Sequence, residues 1–370
     1  MAASSSSNTP LRRRRTRTPS LPWTVRIQAA ALEVAHRLDG SIRRPLFWLG
    51  DLKVKVGASH AQPRSDVLLV RSADITIDAS RGLWARVFCP SAAVIADADD
   101  DAAPLPIFVY FHGVLFSASS RPYDAFCRRL CRELRAVVVS VNYRLAPEHR
   151  FPAAYDDGVA ALRYLDETTP IPLPLPPDLL HGAVDLSSCF LVGDSSGANM
   201  VHHVAQRWAS SMSSATTATS TLPPPPPLRL RLAGAVLIQP FFGGEERTEA
   251  ELAFDKACRI LSVARADHYW REFLPEGATR DHPAARVCGE GVELADTFPP
   301  AMVVSGGFDL LKDWHARYVE TLRAKGKLVR VVEYPDAVHG FYAFPELADS
   351  GKLVEDMKLF VHDHMSGGFD

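Results

Sequence analysis

Three features are scarce in this chain, and each scarcity excludes a class of protein. Its 370 residues include six cysteines, which are dispersed and form no Cys-x-x-Cys pair. This pattern predicts neither a disulfide framework nor a structural zinc site, and it fits a reducing compartment. No run approaches the roughly 18 apolar residues that a membrane span needs. Acidic and basic residues nearly balance, at a net charge of −2, so we expect no nucleic-acid-binding surface.

What is present favours a protein that acts on a small molecule. The length suits one large α/β domain with additions at its edges. No cluster of His, Cys and carboxylate residues has the spacing of metal ligands, so we expect no metal site. We therefore expect a small-molecule partner and neither a nucleic acid nor a membrane.

The first 22 residues have an unusual composition. They contain the serine run 4–7 and the arginine run 12–15, and no acidic residue precedes Glu33. We expect a disordered basic tail and a cytoplasmic protein, because no apolar segment of a secretion signal follows the start. The same composition is also typical of a plastid or mitochondrial transit peptide or of a nuclear-localisation signal, and these alternatives stay open.

Apolar runs and helical spacing alternate along the chain. The strand candidates are residues 74–79, 83–90, 107–112, 137–143, 189–193, 233–240, 301–305 and 329–334. Helices are predicted at 123–135, 153–167, 198–208, 261–273, 313–325 and 353–365. This alternation predicts a mostly parallel sheet with helices on both faces. The first two strands have no helix between them and therefore predict an opening antiparallel hairpin.

The ends of this pattern suggest the domain organisation. Residues 23–70 begin with helix-like apolar spacing and are predicted to form a small N-terminal helical lid. Residues 71–370 are predicted to form the core. The low-complexity insertion 210–227 ends in five prolines and is predicted to be a surface loop.

The most informative motif is Gly-Asp-Ser-Ser-Gly at residues 193–197, between a predicted strand and a predicted helix. It is typical of a nucleophile elbow, in which two glycines let a strand reverse into a helix around a strained serine. Such a turn lifts the hydroxyl of Ser195 out of the sheet. It also directs the N–H of Ser196 towards an oxyanion.

A serine nucleophile needs a base, and the base needs a carboxylate that orients it. In a nucleophile-elbow fold the acid and the histidine follow the serine, each on a loop beyond a strand. Asp309 and His339 stand at such positions, after the last two predicted strands. Asp313 is the rival acid, but it opens a predicted helix, where a carboxylate has a sufficient capping role.

Four longer motifs carry a family resemblance. They are residues 141–158 (VNYRLAPEHRFPAAYDDG), 193–197 (GDSSG), 239–247 (QPFFGGEER) and 309–313 (DLLKD). Together they resemble the hormone-sensitive-lipase branch of the α/β-hydrolases, and more narrowly the plant carboxylesterases related to gibberellin receptors, from about residue 21 onwards. The resemblance implies an eight-stranded hydrolase core, an N-terminal lid over the pocket, and ester hydrolysis without a cofactor. It assigns Ser195, Asp309 and His339 as the catalytic triad.

One loop departs from the family pattern. The family has His-Gly-Gly-Gly-Phe after its third strand, and this loop supplies oxyanion donors, whereas residues 112–116 here read HGVLF. Either Val114 and Leu115 replace two glycines, or Gly-Gly-Phe is missing after Gly113, and the second alignment preserves the downstream match better. Replacement would force β-branched Val114 towards a backbone conformation that favours glycine. We expect Gly113, Val114 and Ser196 to form the oxyanion hole, in a weakened form.

Two functions fit these features. The first is a serine carboxylesterase with a small ester substrate, in which Phe116, Phe242 and Tyr342 are either apolar pocket walls or core aromatics. The second is a non-catalytic ligand receptor with a protein partner, which the altered glycine loop favours. The gibberellin receptors of this group characteristically lack the triad histidine, whereas this chain has His339. We therefore expect the esterase.

Overall fold

The computed structural model describes residues 19–55, 69–91, 94, 104–114, 117–168, 184–217, 228–255 and 260–365. Most of the predicted basic tail, most of the proline-rich insertion and Phe116 lie outside these ranges. The division into tail, lid and core stays a prediction.

Eight strands are described. They are β1 (Val70–Asp78), β2 (Leu83–Pro90), β3 (Leu105–Phe111), β4 (Val137–Asn142), β5 (Val184–Asp194), β6 (Leu232–Ile238), β7 (Ala301–Gly306) and β8 (Val329–Tyr334). The predicted strands match all eight, although β1 begins four residues and β5 five residues before the predicted start.

Nine α-helices are described within the same ranges. They are α1 (Trp23–Val34), α2 (Arg44–Gly50), α3 (Arg121–Glu133), α4 (Ala153–Glu167), α5 (Ser196–Thr217), α6 (Glu249–Phe254), α7 (Val263–Phe273), α8 (Lys312–Ala324) and α9 (Ala348–His364). The predicted surface loop 210–227 is wrong for residues 210–217, because α5 continues to Thr217 instead of ending at 208. The sequence pattern also did not predict α6. This helix has only six residues, and it begins in a capping box, in which Thr248 and Glu251 each bond the other's backbone N–H.

The strands form one sheet in the order β1-β2-β4-β3-β5-β6-β7-β8. β2 pairs antiparallel with both β1 and β4, and the remaining neighbours are parallel. The predicted hairpin and the mostly parallel, eight-stranded sheet are therefore confirmed.

The central strands of the sheet are buried on both faces, and β3 illustrates how. Its odd-numbered residues Ile107 and Val109 pack in the larger apolar cluster, which includes Trp208 of α5. Its even-numbered Phe108 packs on the opposite face, in the cluster that includes Phe360 of α9. Because both sets of side chains are buried, the strand has a continuous apolar run, as is typical of parallel sheets covered by helices.

The N-terminal segment packs against α7. Gly40 lies there with φ +83°, and a Cβ on it would come within 2.1 Å of the carbonyl oxygen of Ala264. Nearby, Nε2 of the buried His36 lies 2.8 Å from the hydroxyl of Tyr269. These contacts fix the segment beside the carboxyl edge of the sheet.

None of the helices in the described residues is long and apolar enough to cross a membrane.

Candidate active site

The turn between β5 and α5 holds Ser195 in a strained conformation. Its φ is +52°, which a residue with a side chain rarely adopts. A Cβ on Gly193 would lie 2.4 Å from the carbonyl oxygen of Gly197, and one on Gly197 would lie 1.9 Å from that of Phe111. Both flanking positions therefore require glycine for steric reasons, as the motif predicts.

The structure brings Ser195, His339 and Asp309 together, although they are far apart in the sequence. The Oγ of Ser195 lies 3.0 Å from Nε2 of His339, and Nδ1 of His339 lies 2.9 Å from Oδ2 of Asp309. All three side chains are buried. With the proton on Nδ1, the imidazole donates to Asp309 and accepts from the serine hydroxyl, the arrangement that lets an imidazole take a proton from a serine.

The carboxylate of Asp309 is held at both oxygens. Its Oδ1 accepts a hydrogen bond from the backbone N–H of Leu311 at 2.9 Å, which leaves Oδ2 for His339. Burial would raise the pKa of Asp309, but the adjacent imidazole and these hydrogen bonds bring it below the ordinary value. The rival acid Asp313 instead accepts from the N–H of Ala250 at 2.8 Å, at the start of α6.

The predicted oxyanion donors do not have equivalent surroundings. The N–H of Gly113 donates to the hydroxyl of Tyr123 at 3.0 Å, so it is already used within the protein. Val114 and Ser196 both line the cavity beside the elbow. Val114 does not have the backbone strain that replacement of a glycine would bring, because the described non-glycine residues with positive φ are Arg135, Ser195 and Gln239.

Behind the loop lies Asp194, a fully buried carboxylate. It accepts hydrogen bonds from the hydroxyls of Tyr110, Tyr123 and Tyr342, at 2.5, 2.9 and 2.5 Å. Burial raises the pKa of Asp194, and the three hydroxyls partly oppose that rise. Tyr123 thus joins the elbow to Gly113, because its hydroxyl donates to Asp194 and accepts from the glycine N–H.

We expect Tyr342→Phe to destabilise the fold more at neutral than at acidic pH. Because the folded-state pKa of Asp194 is raised, its contribution to stability is fully present below the unfolded pKa and is lost as pH rises through the folded pKa. Removal of one donor raises that pKa further. The expected loss in the free energy of unfolding is about 1–3 kcal/mol at pH 7.5 and smaller at pH 4. Urea unfolding at both pH values measures it.

The matched control for that experiment is Tyr334→Phe. The hydroxyl of Tyr334 also donates to a carboxylate, that of Asp356, at 2.6 Å, but this pair is only partly buried. Water can replace the lost hydroxyl there, so we expect a smaller loss. An equal loss at both pH values for Tyr342→Phe would contradict the role given to Asp194.

A cavity of about 260 Å³ adjoins the elbow. Ser41 and Ile42 of the N-terminal segment contribute one wall. Most of the remaining lining is apolar or aromatic, including Leu145, Met200, Phe241, Tyr269 and Trp270. The cavity therefore has the character of a pocket for a small, largely apolar ligand.

The predicted aromatic walls lie elsewhere. Phe242 is buried in the core, with its ring centroid 4.7 Å from that of Tyr318. Tyr342 donates to Asp194 behind the elbow. Neither is among the described residues that line the cavity. Phe116 lies outside the described residues, as does Leu115, so the choice between the two loop alignments stays open.

The described part of the chain contains no group of three or more His, Cys, Asp or Glu residues that could hold a metal ion.

Comparisons with known proteins agree with this architecture. A sequence profile described as alpha/beta hydrolase fold matches residues 108–343. The chain is 36% identical to Gibberellin receptor GID1C of Arabidopsis thaliana over 344 residues, which cover 90% of each chain. It is 32% identical to Carboxylesterase 20 of the same plant, over 90% of this chain and 95% of the relative.

Among solved structures, the hyperthermophilic esterase from the archaeon Pyrobaculum calidifontis has the same fold. The TM-score is 0.67 at 24% identity, and the match covers 93% of this chain and 98% of the esterase. By their names, the relatives thus include both esterases and a gibberellin receptor.

Proposed function

This chain belongs to the α/β-hydrolase family that includes plant carboxylesterases and gibberellin receptors, and from that premise we propose that it is a serine carboxylesterase. The observation that carries the proposal is the hydrogen-bonded chain from Ser195 through His339 to Asp309. A receptor needs a pocket for its ligand, but it has no use for an imidazole placed to take a proton from a buried serine.

In the first half of the proposed reaction, Ser195 attacks the ester carbonyl while its proton passes to Nε2 of His339. Asp309 stabilises the imidazolium that forms and keeps its ring oriented. The tetrahedral oxyanion is held by the N–H of Ser196 and, on the loop side, by that of Val114. His339 then gives the proton to the departing alcohol, which leaves the acyl group on Ser195.

In the second half, water attacks the acyl-enzyme. His339 takes a proton from the water, and the carboxylic acid leaves as the proton returns to Ser195. The cavity of about 260 Å³ lies at the small end of ligand pockets, so we propose a short acyl or alkyl group on the substrate.

Hydrolysis of p-nitrophenyl acetate and butyrate by the purified chain tests this proposal. We expect saturable turnover that a fluorophosphonate abolishes at one equivalent, with the label on the peptide that contains Ser195. The control is protein unfolded in urea, in which no base is held near the serine and no label is expected. Failure of the folded protein to hydrolyse either ester or to take up the reagent would overturn the proposal.

A second candidate is a ligand receptor, and two observations favour it. The chain is 36% identical to a gibberellin receptor, and its Gly113 N–H is used by Tyr123. This function predicts tight, saturable binding of a hormone-like carboxylic acid without turnover, followed by ligand-dependent binding of a protein partner. Calorimetric titration with gibberellins distinguishes it from the esterase.

A further inference from the structure

The segment after β6 contacts the surroundings of every member of the proposed triad. It contacts the nucleophile first. The N–H of Ser195 donates to the carbonyl of Ile238, and the N–H of Phe241 donates to the carbonyl of Ser195, both at 2.9 Å. Residues 238–241 therefore bond both the N–H and the carbonyl of Ser195, and so they hold the backbone of the elbow.

The side chain of Gln239 contacts the loop that carries His339, the proposed base. Its Nε2 donates to the carbonyl of Val338 at 3.1 Å, and its Oε1 accepts from the N–H of Gly340 at 2.7 Å. These two residues immediately precede and follow His339. One fully buried amide thus fixes the backbone on both sides of the proposed base.

Gln239 itself is held in a costly conformation. Its φ is +46°, in the left-handed region that favours glycine. Its N–H donates to the carbonyl of Val304 at 2.9 Å, which attaches the turn to β7. Strain of this kind persists where the surrounding structure imposes it, and it is concentrated at functional sites.

The next residue, Pro240, is linked through His315 to β7, the strand that precedes Asp309. Nε2 of His315 lies 3.0 Å from the carbonyl of Pro240, and its Nδ1 lies 3.0 Å from Oγ of Ser305 at the end of β7. Burial lowers the pKa of His315 to about 4, so this imidazole is neutral near pH 7 and can donate to Pro240 while it accepts from Ser305. β7 leads directly to Asp309.

From these contacts we infer that Gln239 is the positioning residue that sets the distance between Oγ of Ser195 and Nε2 of His339. It acts through the loop of His339, because its side chain is fully buried and both ends of its amide are bonded to the backbone of that loop. This inference rests on the proposed function. A displacement of about 1 Å at such a contact lowers turnover by about 10²-fold.

Gln239→Leu tests the inference, because leucine is similar in size to glutamine but cannot form either of the two side-chain hydrogen bonds. We expect kcat per folded molecule to fall by about 10- to 100-fold, while KM changes less than threefold. A purely structural role would instead lower the melting temperature and leave kcat per folded molecule unchanged. Circular dichroism and active-site titration supply the folded and competent fractions.

The matched control is Thr321→Val. The hydroxyl of Thr321 also bonds two backbone groups, because it donates to the carbonyl of Arg317 and accepts from the N–H of Gly289. Its loss removes a comparable pair of bonds away from the elbow. We expect a lower melting temperature and an unchanged kcat.

A crystal structure of Gln239→Leu provides a readout that does not depend on turnover. We expect the distance between Ser195 Oγ and His339 Nε2 to exceed 3.5 Å. An unchanged distance, or an unchanged kcat in an active enzyme, overturns the role of Gln239. If the natural chain hydrolyses no ester, the proposed function fails, and the distance in the variant still decides whether Gln239 positions His339.

Discussion

Replacing Ser195 with alanine is expected to lower kcat for p-nitrophenyl butyrate by about 10⁴- to 10⁶-fold, and His339→Ala by a similar factor. The two groups act as a unit, because the serine hydroxyl is a nucleophile only while Nε2 of His339 accepts its proton at 3.0 Å. The double variant should therefore be no slower than either single variant. Stopped-flow and long-time hydrolysis assays together cover this range of rates.

Two outcomes would count against this interpretation. If the factors multiply in the double variant, Ser195 and His339 act independently and there is no nucleophile-base pair. If Ser195→Ala retains the rate of the natural chain, another residue carries the hydrolysis. Ser210→Ala is the control, since Ser210 lies at an exposed position in α5, the helix that follows the elbow, and we expect no change.

The sheet was largely predictable because of the way its strands are buried. Central strands covered on both faces, such as β3 and β4, have continuous apolar runs, and this is why their predicted bounds lie within two residues of the observed ones. The start of β5 was missed because residues 184–188 are more polar than the run that follows. Short α6 depends on its capping box more than on apolar periodicity.

The candidate site likewise contains residues that the sequence predicted and residues that it could not. Ser195, Asp309 and His339 were predicted because each follows a strand in the chain order that the fold requires. By contrast, an aromatic residue such as Phe242 fits a core or a pocket equally well in a sequence, and only packing against Tyr318 distinguishes them. Gln239 contacts residues about 100 positions away, and no local pattern encodes such a contact. In the sequence, only the motif 239–247, which begins at Gln239, pointed to this residue.

The second large effect concerns the oxyanion loop. The N–H of Gly113 donates to Tyr123, and a Cβ on Gly113 would lie 2.6 Å from Oδ2 of Asp194, so this end of the loop is fixed against the elbow. Extra length must enter after Gly113. We expect insertion of Gly-Gly-Phe between Gly113 and Val114 to raise kcat about 10²- to 10³-fold, because each preorganised N–H aimed at the oxyanion contributes a factor of that size.

A transition-state analogue measures the same gain independently of turnover. A trifluoromethyl ketone forms a hemiketal whose oxyanion occupies the site, so its inhibition constant should fall by about the same factor as kcat rises, while KM changes little. The insertion combined with Ser195→Ala should remain inactive, which excludes hydrolysis by the new loop itself. An inserted loop that leaves both kcat and the inhibition constant unchanged would mean that Val114 and Ser196 already supply the donors that the reaction needs.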